Sequence, residues 1–262
     1  MVIPLHEGTF TVDHSKQFIP FHRHTDHLEQ RPPGSLLVDI VSFLVVAPGI
    51  LAVVDPGLGT GTEEAWIRRA VRARGYDPEQ VTHVLLSHLH KDHAGGAVWP
   101  DGQGWQLTFP AASYYVQNKE FAYAFSKSAS RSYRFEALAF LYDHPQRVRF
   151  DGAARIGDWL EIEVSGGHTP HHQCFHFYLS NEHYFFGGDV AAQSGQLLRR
   201  FLAKYDADAA RSQHLREQWA HRGAEQGWKF LFFHDAQKTI VTLRHRENRP
   251  ELASFVPAEG PA

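Results

Sequence analysis

Cysteine is nearly absent from this chain: among 262 residues, only Cys174 carries a thiol. A single cysteine excludes an intramolecular disulfide framework and any zinc finger built from cysteine pairs. Long apolar runs are also absent, since no stretch approaches the roughly 20 residues of a membrane-spanning helix. The start, MVIPLHEGTF, lacks the basic and then apolar layout of a signal peptide. We therefore expect a cytoplasmic protein without a membrane partner.

Excess charge of either sign is small. The formal net charge of −3 predicts no general attraction to nucleic acid. Hydrophobic residues make up 43% of the chain, which is enough to build a sizeable core. No linker or change of composition divides the sequence, so we expect a single domain over residues 1–262. Within it, residues 1–35 would form an N-terminal extension, and residues 118–142 an aromatic helical insert.

Periodicity and turn residues predict the main elements. Strands are expected at 36–46 and 50–55, joined by a Pro-Gly turn. A helix capped by Thr62 would run to Gly75, and a second helix would cover 205–222. The tail from Glu247 onwards is expected to be loose. Strands that alternate with helices indicate an α/β protein with mixed sheets.

Histidine, in contrast, is abundant, with 19 residues. The pattern H-x-H-x-D-H occurs twice: the first motif is HRHTDH at 22–27 and the second is HLHKDH at 88–93. Either motif could bring three imidazoles and one carboxylate to a metal ion. Spacing alone does not separate the two.

The surroundings of the two motifs differ. The second follows an apolar strand, VTHVLLS at 81–87, and precedes two glycines at 95–96 that let the backbone turn tightly. The first has neither, so we interpret it as a surface segment, at most an adventitious metal site or part of a pocket rim. The residues of the first motif concerned are His22, His24, Asp26 and His27.

Three later segments repeat one arrangement, an apolar strand that ends sharply at a potential ligand. EVSGGHTP contains His168, YFFGGDV contains Asp189 and WKFLFFHD contains His234. Because metal sites gain precision when ligands leave rigid elements, we expect these residues to meet the second motif at one edge of a sandwich. Nitrogen and oxygen ligands without thiolate suit Zn²⁺ and also tolerate Mn²⁺, Fe²⁺ or Co²⁺.

From about Leu36 to Leu243 the chain resembles the metallo-β-lactamase fold hydrolases. The resemblance rests on Asp55 after a strand, HLHKDH, GHTP, GGD and the late His234. It implies an αββα sandwich of two mixed β-sheets flanked by helices. It also implies two metal positions, with His88, His90 and His168 at the first, Asp92, His93 and His234 at the second, Asp189 bridging both and Asp55 orienting the ligands from behind.

The same resemblance implies hydrolysis by two divalent ions, expected to be zinc, which share a hydroxide that attacks a carbonyl. Asp92 and Asp189 would be the catalytic carboxylates. Residues 87–96 and 114–124 are similar to the quorum-quenching lactonases. This similarity implies a small-molecule substrate, an N-acyl homoserine lactone or a related lactone or ester, and a group in which homodimers are common.

Two positions depart from the lactonase pattern. Many lactonases carry a tyrosine three residues beyond the bridging aspartate, where this chain has Ala192. The usual HTPGH is HTPHH here, so His171 replaces a glycine. We predict that the substrate pocket is lined by Phe121, Tyr123 and His171, and that His171 or a tyrosine of the insert replaces the missing one.

Two alternatives remain open. A glyoxalase II-like thioesterase would use the same ligands together with basic residues that hold a glutathione carboxylate. A mononuclear iron enzyme of the persulfide dioxygenase type would leave part of the ligand set unused. The basic residues considered are Lys91, Lys119, Arg131 and Arg134.

Overall fold

A computed structural model describes residues 1–61 and 63–259. The predicted helix cap, Thr62, lies outside the described residues. The strands are β1 (Val2–Val12), β2 (Phe18–Pro20), β3 (Leu36–Ala47), β4 (Ile50–Val54), β5 (His83–Leu85), β6 (Val98–Pro100), β7 (Trp105–Leu107), β8 (Ser113–Gln117), β9 (Arg147–Phe150), β10 (Ala154–Ile156), β11 (Leu160–Val164), β12 (Gln173–Leu179), β13 (Glu182–Phe186), β14 (Lys229–Leu231), β15 (Ile240–Arg246) and β16 (Arg249–Val256). The α-helices are α1 (Trp66–Ala73), α2 (Lys91–Ala94), α3 (Asn118–Ser126), α4 (Phe135–Asp143), α5 (Ser194–Leu198) and α6 (Ala209–Gln226).

Within the described residues, the strands form two seven-stranded sheets of mixed direction. The first sheet has the order β2-β1-β3-β4-β5-β8-β9, and its strands from β4 to β9 run parallel. The second sheet follows chain order from β10 to β16, with β13 and β14 parallel and the other neighbours antiparallel. A ribbon of β6 and β7 stands apart from both.

Apolar side chains are buried in three layers. Between the two sheets, the Phe43 and Phe186 rings meet edge to face with centroids 5.7 Å apart. Outside the first sheet, α1, α3 and α4 bury residues such as Phe121. Outside the second sheet, Trp219 of α6 packs on Phe185. This layering confirms the predicted αββα sandwich, and burial of these large side chains is the main favourable term in its stability.

Both ends of the chain belong to the sheets. Residues 1–35, expected as an extension, contribute β1 and β2 to the first sheet, and β1 pairs antiparallel with β3 from Val2 to Val12. The prediction of a loose tail from Glu247 is wrong, because β16 pairs with β15 across a two-residue turn. Glu247 and Asn248 both have positive φ there, as a tight hairpin turn requires.

Helix α6 begins later and ends later than the predicted 205–222. The Asp208 carboxylate accepts from the Arg211 backbone N–H and caps the first turn. Gly227, with φ of +67°, ends the helix in the left-handed conformation. Among the described helices, none combines the length and the apolarity needed to span a membrane.

Candidate metal centre

The seven candidate ligands leave the ends of four strands. The second motif follows β5 and leads into α2, whereas His168 follows β11. Asp189 lies in a short 3-10 turn after β13, and His234 follows β14. Since both sheets end at this edge, residues far apart in sequence come within bonding distance of one another.

Three imidazoles form the first group of the centre. Nδ1 of His90 lies 2.9 Å from Nε2 of His88 and 3.0 Å from Nε2 of His168. Burial, helped by the neighbouring histidines, lowers the pKa of His88 and of His90, so both rings are neutral near pH 7 and offer lone pairs. Nitrogen atoms this close repel each other unless a proton or a cation lies between them.

The second group consists of His93, His234 and Asp92. Nε2 of His93 and Nε2 of His234 lie 3.8 and 3.7 Å from Oδ2 of Asp92. Asp189 lies between the two groups: its Oδ1 is 3.1 Å from Nε2 of His93 and 3.2 Å from Nε2 of His234. Its Oδ2 faces the first group, at 3.3 Å from Nε2 of His168. The carboxylate of Asp189 therefore lies within reach of both groups of imidazoles.

The donor atoms fit divalent cations. Nε2 of His93 and Oδ1 of Asp189 are buried and have no hydrogen-bond partner among the described residues. Buried polar atoms are rarely left without partners, and a cation between these two would satisfy both. Burial lowers the pKa of His93, but Asp189 and Asp92 outweigh it and raise the pKa overall, which shows how strongly negative this position is. Nitrogen and carboxylate donors of this kind suit zinc and similar ions.

Asp55, which follows β4, lies behind the second group and contacts it. Its Oδ2 lies 2.7 Å from Nδ1 of His93, so the opposite ring nitrogen points into the centre. The backbone N–H and the hydroxyl of Ser87 donate to the same carboxylate at 2.7 and 2.5 Å. Asp55 itself has a φ of +43°, an uncommon backbone conformation that these bonds hold in place.

Sequence reasoning missed two further supports. Oδ1 of Asp206 lies 2.9 Å from Nδ1 of His168, and the backbone carbonyl of Asp39 accepts from Nδ1 of His234 at 2.7 Å. Asp206 lies in a stretch without a recognisable motif, and a backbone carbonyl leaves no mark on residue identity. No signal in the sequence could have found the second support.

The glycine before Asp189 is required by packing. Gly188 has φ of +49°, and a Cβ there would lie 2.5 Å from Nε2 of His172. The same His172 nitrogen accepts from the Asp189 backbone N–H at 3.2 Å, while its Nδ1 lies 2.6 Å from the Ser165 hydroxyl. The close approach of ring and backbone fixes the turn that presents the Asp189 carboxylate.

A cavity of about 310 Å³ opens over the centre. Asp92, Asp189 and three of the histidines form its polar floor. Tyr205 also lines it, with its ring 5.8 Å from the His168 ring and its hydroxyl accepting from Gln196 at 3.3 Å. Burial and the nearby Asp189 raise the pKa of Tyr205 to about 12, so its hydroxyl stays protonated. The apolar wall consists of Val12, Phe18, Leu36 and Val38.

The three predicted pocket residues lie elsewhere. Phe121 is fully buried and packs on Tyr142, while Tyr123 contacts Lys127. His171 is half-buried and, like the other two, is not among the residues that line the cavity. From the aromatic insert, it is Tyr133 that reaches the centre, with its ring 5.0 Å from the His90 ring.

The first motif lies on the surface. Its three histidines are exposed and belong to none of the metal-capable groups found in residues 1–61 and 63–259. Asp26 accepts from the His22 backbone N–H at 2.8 Å and so closes a local turn. Arg23 is the residue of this motif that contacts a distant strand: its guanidinium donates to both carboxylate oxygens of Asp39 at 3.0 and 3.1 Å. Through Asp39 this residue contacts the segment that supports His234.

Comparison with known proteins places these features in a family. The model of the metallo-beta-lactamase superfamily matches residues 37–253. The N-acyl homoserine lactonase AttM of Azorhizobium caulinodans is 34% identical over 116 residues, which are 40% of this chain and 39% of that protein. The matched region therefore spans about two fifths of this relative's length.

Two solved structures share the whole architecture. A probable metal-dependent hydrolase from Staphylococcus aureus has a TM-score of 0.80 at 17% identity, covering 100% of this chain and 98% of its own. AidC, a dizinc quorum-quenching lactonase in complex with a product, has a TM-score of 0.72 at 16% identity, covering 97% and 95%. At such low identity these similarities show the fold alone.

Proposed function

Because this chain belongs to the metallo-beta-lactamase superfamily, a family of metal-dependent hydrolases, we propose that it hydrolyses a lactone or a related ester with two divalent metal ions. The observation that carries the proposal is Asp189, whose two oxygens face two separate groups of imidazoles. The first ion would be held by His88, His90 and His168, the second by Asp92, His93 and His234, and Asp189 would join them.

The chain's own groups can serve the steps of ester hydrolysis. When bound, a pair of divalent ions lowers the pKa of water towards roughly 7 and polarises a carbonyl oxygen. Asp92 lines the cavity and can accept a proton from the attacking water. Tyr205, on the cavity wall, can donate its hydroxyl proton to the oxygen that leaves.

Tyr205 would replace the tyrosine missing at position 192. The Ala192 backbone N–H donates to Oε1 of Gln196 at 2.9 Å, and Nε2 of Gln196 donates to the Tyr205 hydroxyl. This chain of bonds leaves the tyrosine's proton free to point into the cavity. The hydroxyl therefore comes from the loop before α6 rather than from the turn that carries Asp189.

The cavity walls favour a substrate with an apolar arm. Four apolar side chains line the cavity beside the polar floor: Val12, Phe18, Leu36 and Val38. A lactone with an acyl chain would place its ring on the floor and its chain along this wall, where burial of each methylene contributes about 0.8 kcal/mol. The likeness to AttM, an N-acyl homoserine lactonase, favours the same class.

A thioester with a carboxylate is the second candidate. Lys16 and Lys91 both line the cavity, and their ammonium groups would attract an anionic substrate. Arg134, considered for the same purpose, donates instead to the carbonyl oxygens of Gly95 and Leu58. The two lysines are therefore the feature that favours glutathione-type thioesters.

Hydrolysis rates on purified, metal-analysed protein test the proposal. We expect the seven candidate ligands to account for two divalent ions per chain, and the highest kcat/KM for lactones in a panel that includes thioesters, phosphotriesters and aryl esters. Thioesters as the best substrates would favour the second candidate. One iron per chain without hydrolysis of lactones or thioesters would contradict both candidates. It would favour a mononuclear iron enzyme of the persulfide dioxygenase type.

The role of Tyr205 is tested separately. Tyr205→Phe should lower kcat by about 100-fold, the lower end of what a positioned proton donor contributes, with metal content unchanged. Tyr142→Phe is the matched control, because Tyr142 lies on α4 against Phe121 and should leave kcat intact. Equal kcat values for the two variants would show that Tyr205 takes no part in the reaction.

A further inference from the structure

We propose a second, sulfur-containing zinc site on the outer face of the second sheet, formed by Glu163, Cys174 and His176. These three residues, called here the outer-face cluster, can each offer one ligand atom, and the three atoms lie within 4.8 Å of one another. None of them belongs to the seven candidate ligands or lines the cavity above those ligands. The site is therefore independent of the proposed hydrolytic centre.

Sheet register brings the three side chains to one face. Cys174 and His176 are two residues apart on β12, so their side chains point the same way. Glu163 of β11 is the direct partner of Cys174 across the antiparallel pair. Nε2 of His176 lies 3.5 Å from Oε2 of Glu163, while Cys174 and His176 are buried. The Glu163 side chain is 44% exposed, so an ion can reach the cluster from solvent.

A fourth residue fixes the orientation of His176. Its Nδ1 lies 2.9 Å from Nε2 of His183 on β13. When Nδ1–H donates to His183, the lone pair of Nε2 faces Glu163 and Cys174, which is the arrangement found in histidines that bind metal. The Trp228 ring covers both imidazoles, with centroids 5.2 Å from His176 and 4.8 Å from His183. This apolar cover excludes water from one side of the cluster.

The donor set selects zinc among the common ions. One sulfur, one imidazole nitrogen and one carboxylate oxygen are the three donor types that Zn²⁺ accepts, and a water molecule would complete four-coordination. Mg²⁺ and Ca²⁺ disfavour sulfur, and Cu⁺ disfavours carboxylate. On binding, the Cys174 thiol gives its proton to solvent and a zinc–sulfur bond forms, without oxidation or reduction.

The single cysteine of the chain supplies a specific optical test. Metal-free protein titrated with Co²⁺ should develop a near-ultraviolet sulfur-to-cobalt charge-transfer band, because Cys174 is the sole thiol in the sequence. The seven candidate ligands of the hydrolytic centre contain no sulfur, so Co²⁺ bound there cannot produce this band. The result is thus independent of whether the protein hydrolyses lactones. Full Co²⁺ loading without the band would overturn the proposal.

Variants assign the band to the cluster. Cys174→Ser should abolish it and lower bound zinc by one ion per chain. Glu163→Gln should raise the Co²⁺ concentration at half-maximal absorbance by about 10-fold or more, as loss of a ligand costs at least what loss of a supporting residue costs. Glu161→Gln is the control for loss of a carboxylate beside the cluster. Glu161 pairs with His176 across the strands, but its carboxylate accepts from the Tyr178 hydroxyl and it is not one of the three cluster ligands.

If Cys174→Ser does not fold, the two glutamine variants still decide the test, because the side chains of Glu161 and Glu163 reach solvent and their replacement should not disturb the core. An unchanged titration for Glu161→Gln and a shifted one for Glu163→Gln would support the site. Identical titrations for both glutamine variants, or equal zinc content in Cys174→Ser and the unaltered chain, would show that the cluster is only a buried hydrogen-bonded group.

Discussion

The first motif, HRHTDH at 22–27, is exposed along its whole length, whereas His88 and His93 of the second motif, HLHKDH at 88–93, have no exposed surface. The letters and the spacing are the same. The first motif turns on itself, with Asp26 bonded to the His22 backbone N–H. The second meets Asp189 and two histidines that come from other strands.

The difference shows that the side chains of such a motif come together as ligands only when the surrounding structure directs them to one place. Gly95 and Gly96 lie so close to the 55–61 loop that a Cβ on them would reach the Leu58 and Pro56 carbonyl oxygens at 2.3 and 2.2 Å. This packing lets the second motif turn inward at the sheet edge. The first motif borders a larger cavity, of about 580 Å³, yet its side chains do not converge there. Cavity size alone does not make a metal site.

Removing the carboxylate that joins the two groups should have the largest effect. We expect Asp189→Asn to abolish measurable hydrolysis and to lower bound metal, because the amide cannot offer two anionic oxygens. The loss should exceed the 10–100-fold typical of residues that only support ligands. His168→Ala should behave similarly. Metal analysis and kcat/KM on purified variants check this, and normal activity in either would refute the centre.

Asp55→Asn should have the next largest effect. Asp55 holds Nδ1 of His93 and the Ser87 backbone, a support that the first motif lacks. We expect metal affinity to fall by about 10–100-fold, with the fold retained because the amide is isosteric. Competition with a chelator measures the affinity, and circular dichroism checks the fold. Unchanged affinity would mean that packing alone orients His93.

Sequence patterns predicted the strand ends well and the supports poorly. His168, Asp189 and His234 each follow an apolar strand, so their approach to the second motif could be expected from strand geometry. Asp206 is 38 residues from His168 in the sequence, and Asp39 is 195 residues from His234. At such separations only the fold determines that the groups lie close together. The single-domain organisation, the homodimer and the identity of the metal stay predictions.

The cavity wall could not be predicted for a different reason. The aromatic residues of the insert lie in segments expected to be helical, and their positions are consistent with both a core and a pocket. Phe121 is in the core. The wall instead comes from Val12, Phe18, Leu36 and Val38, which lie on the adjacent strands β1, β2 and β3 of the first sheet.

A smaller effect is expected for Arg23, the one residue of the first motif that reaches the centre's supports. Arg23→Ala removes the ion pair with Asp39, whose backbone carbonyl orients His234. The Arg23 side chain is 41% exposed, so solvent screening limits the effect on metal affinity to about fivefold or less. Arg31→Ala is the control: within the described chain its guanidinium donates only to the nearby Leu28 and Ser35 carbonyl oxygens, so its loss should leave metal affinity unchanged. A loss beyond 10-fold would show that the first motif is part of the centre.

The smallest effect is expected for His24→Ala. The variant to compare with it is His90→Ala. Both residues occupy the third place of H-x-H-x-D-H. His24 is exposed and belongs to none of the metal-capable groups in the described chain, so metal content and kcat/KM should stay within twofold of the unaltered protein. His90 lies within 3.0 Å of two other imidazole nitrogens, and its loss should remove one metal ion and the activity. Loss of both metals in His24→Ala would reverse the order of the two motifs.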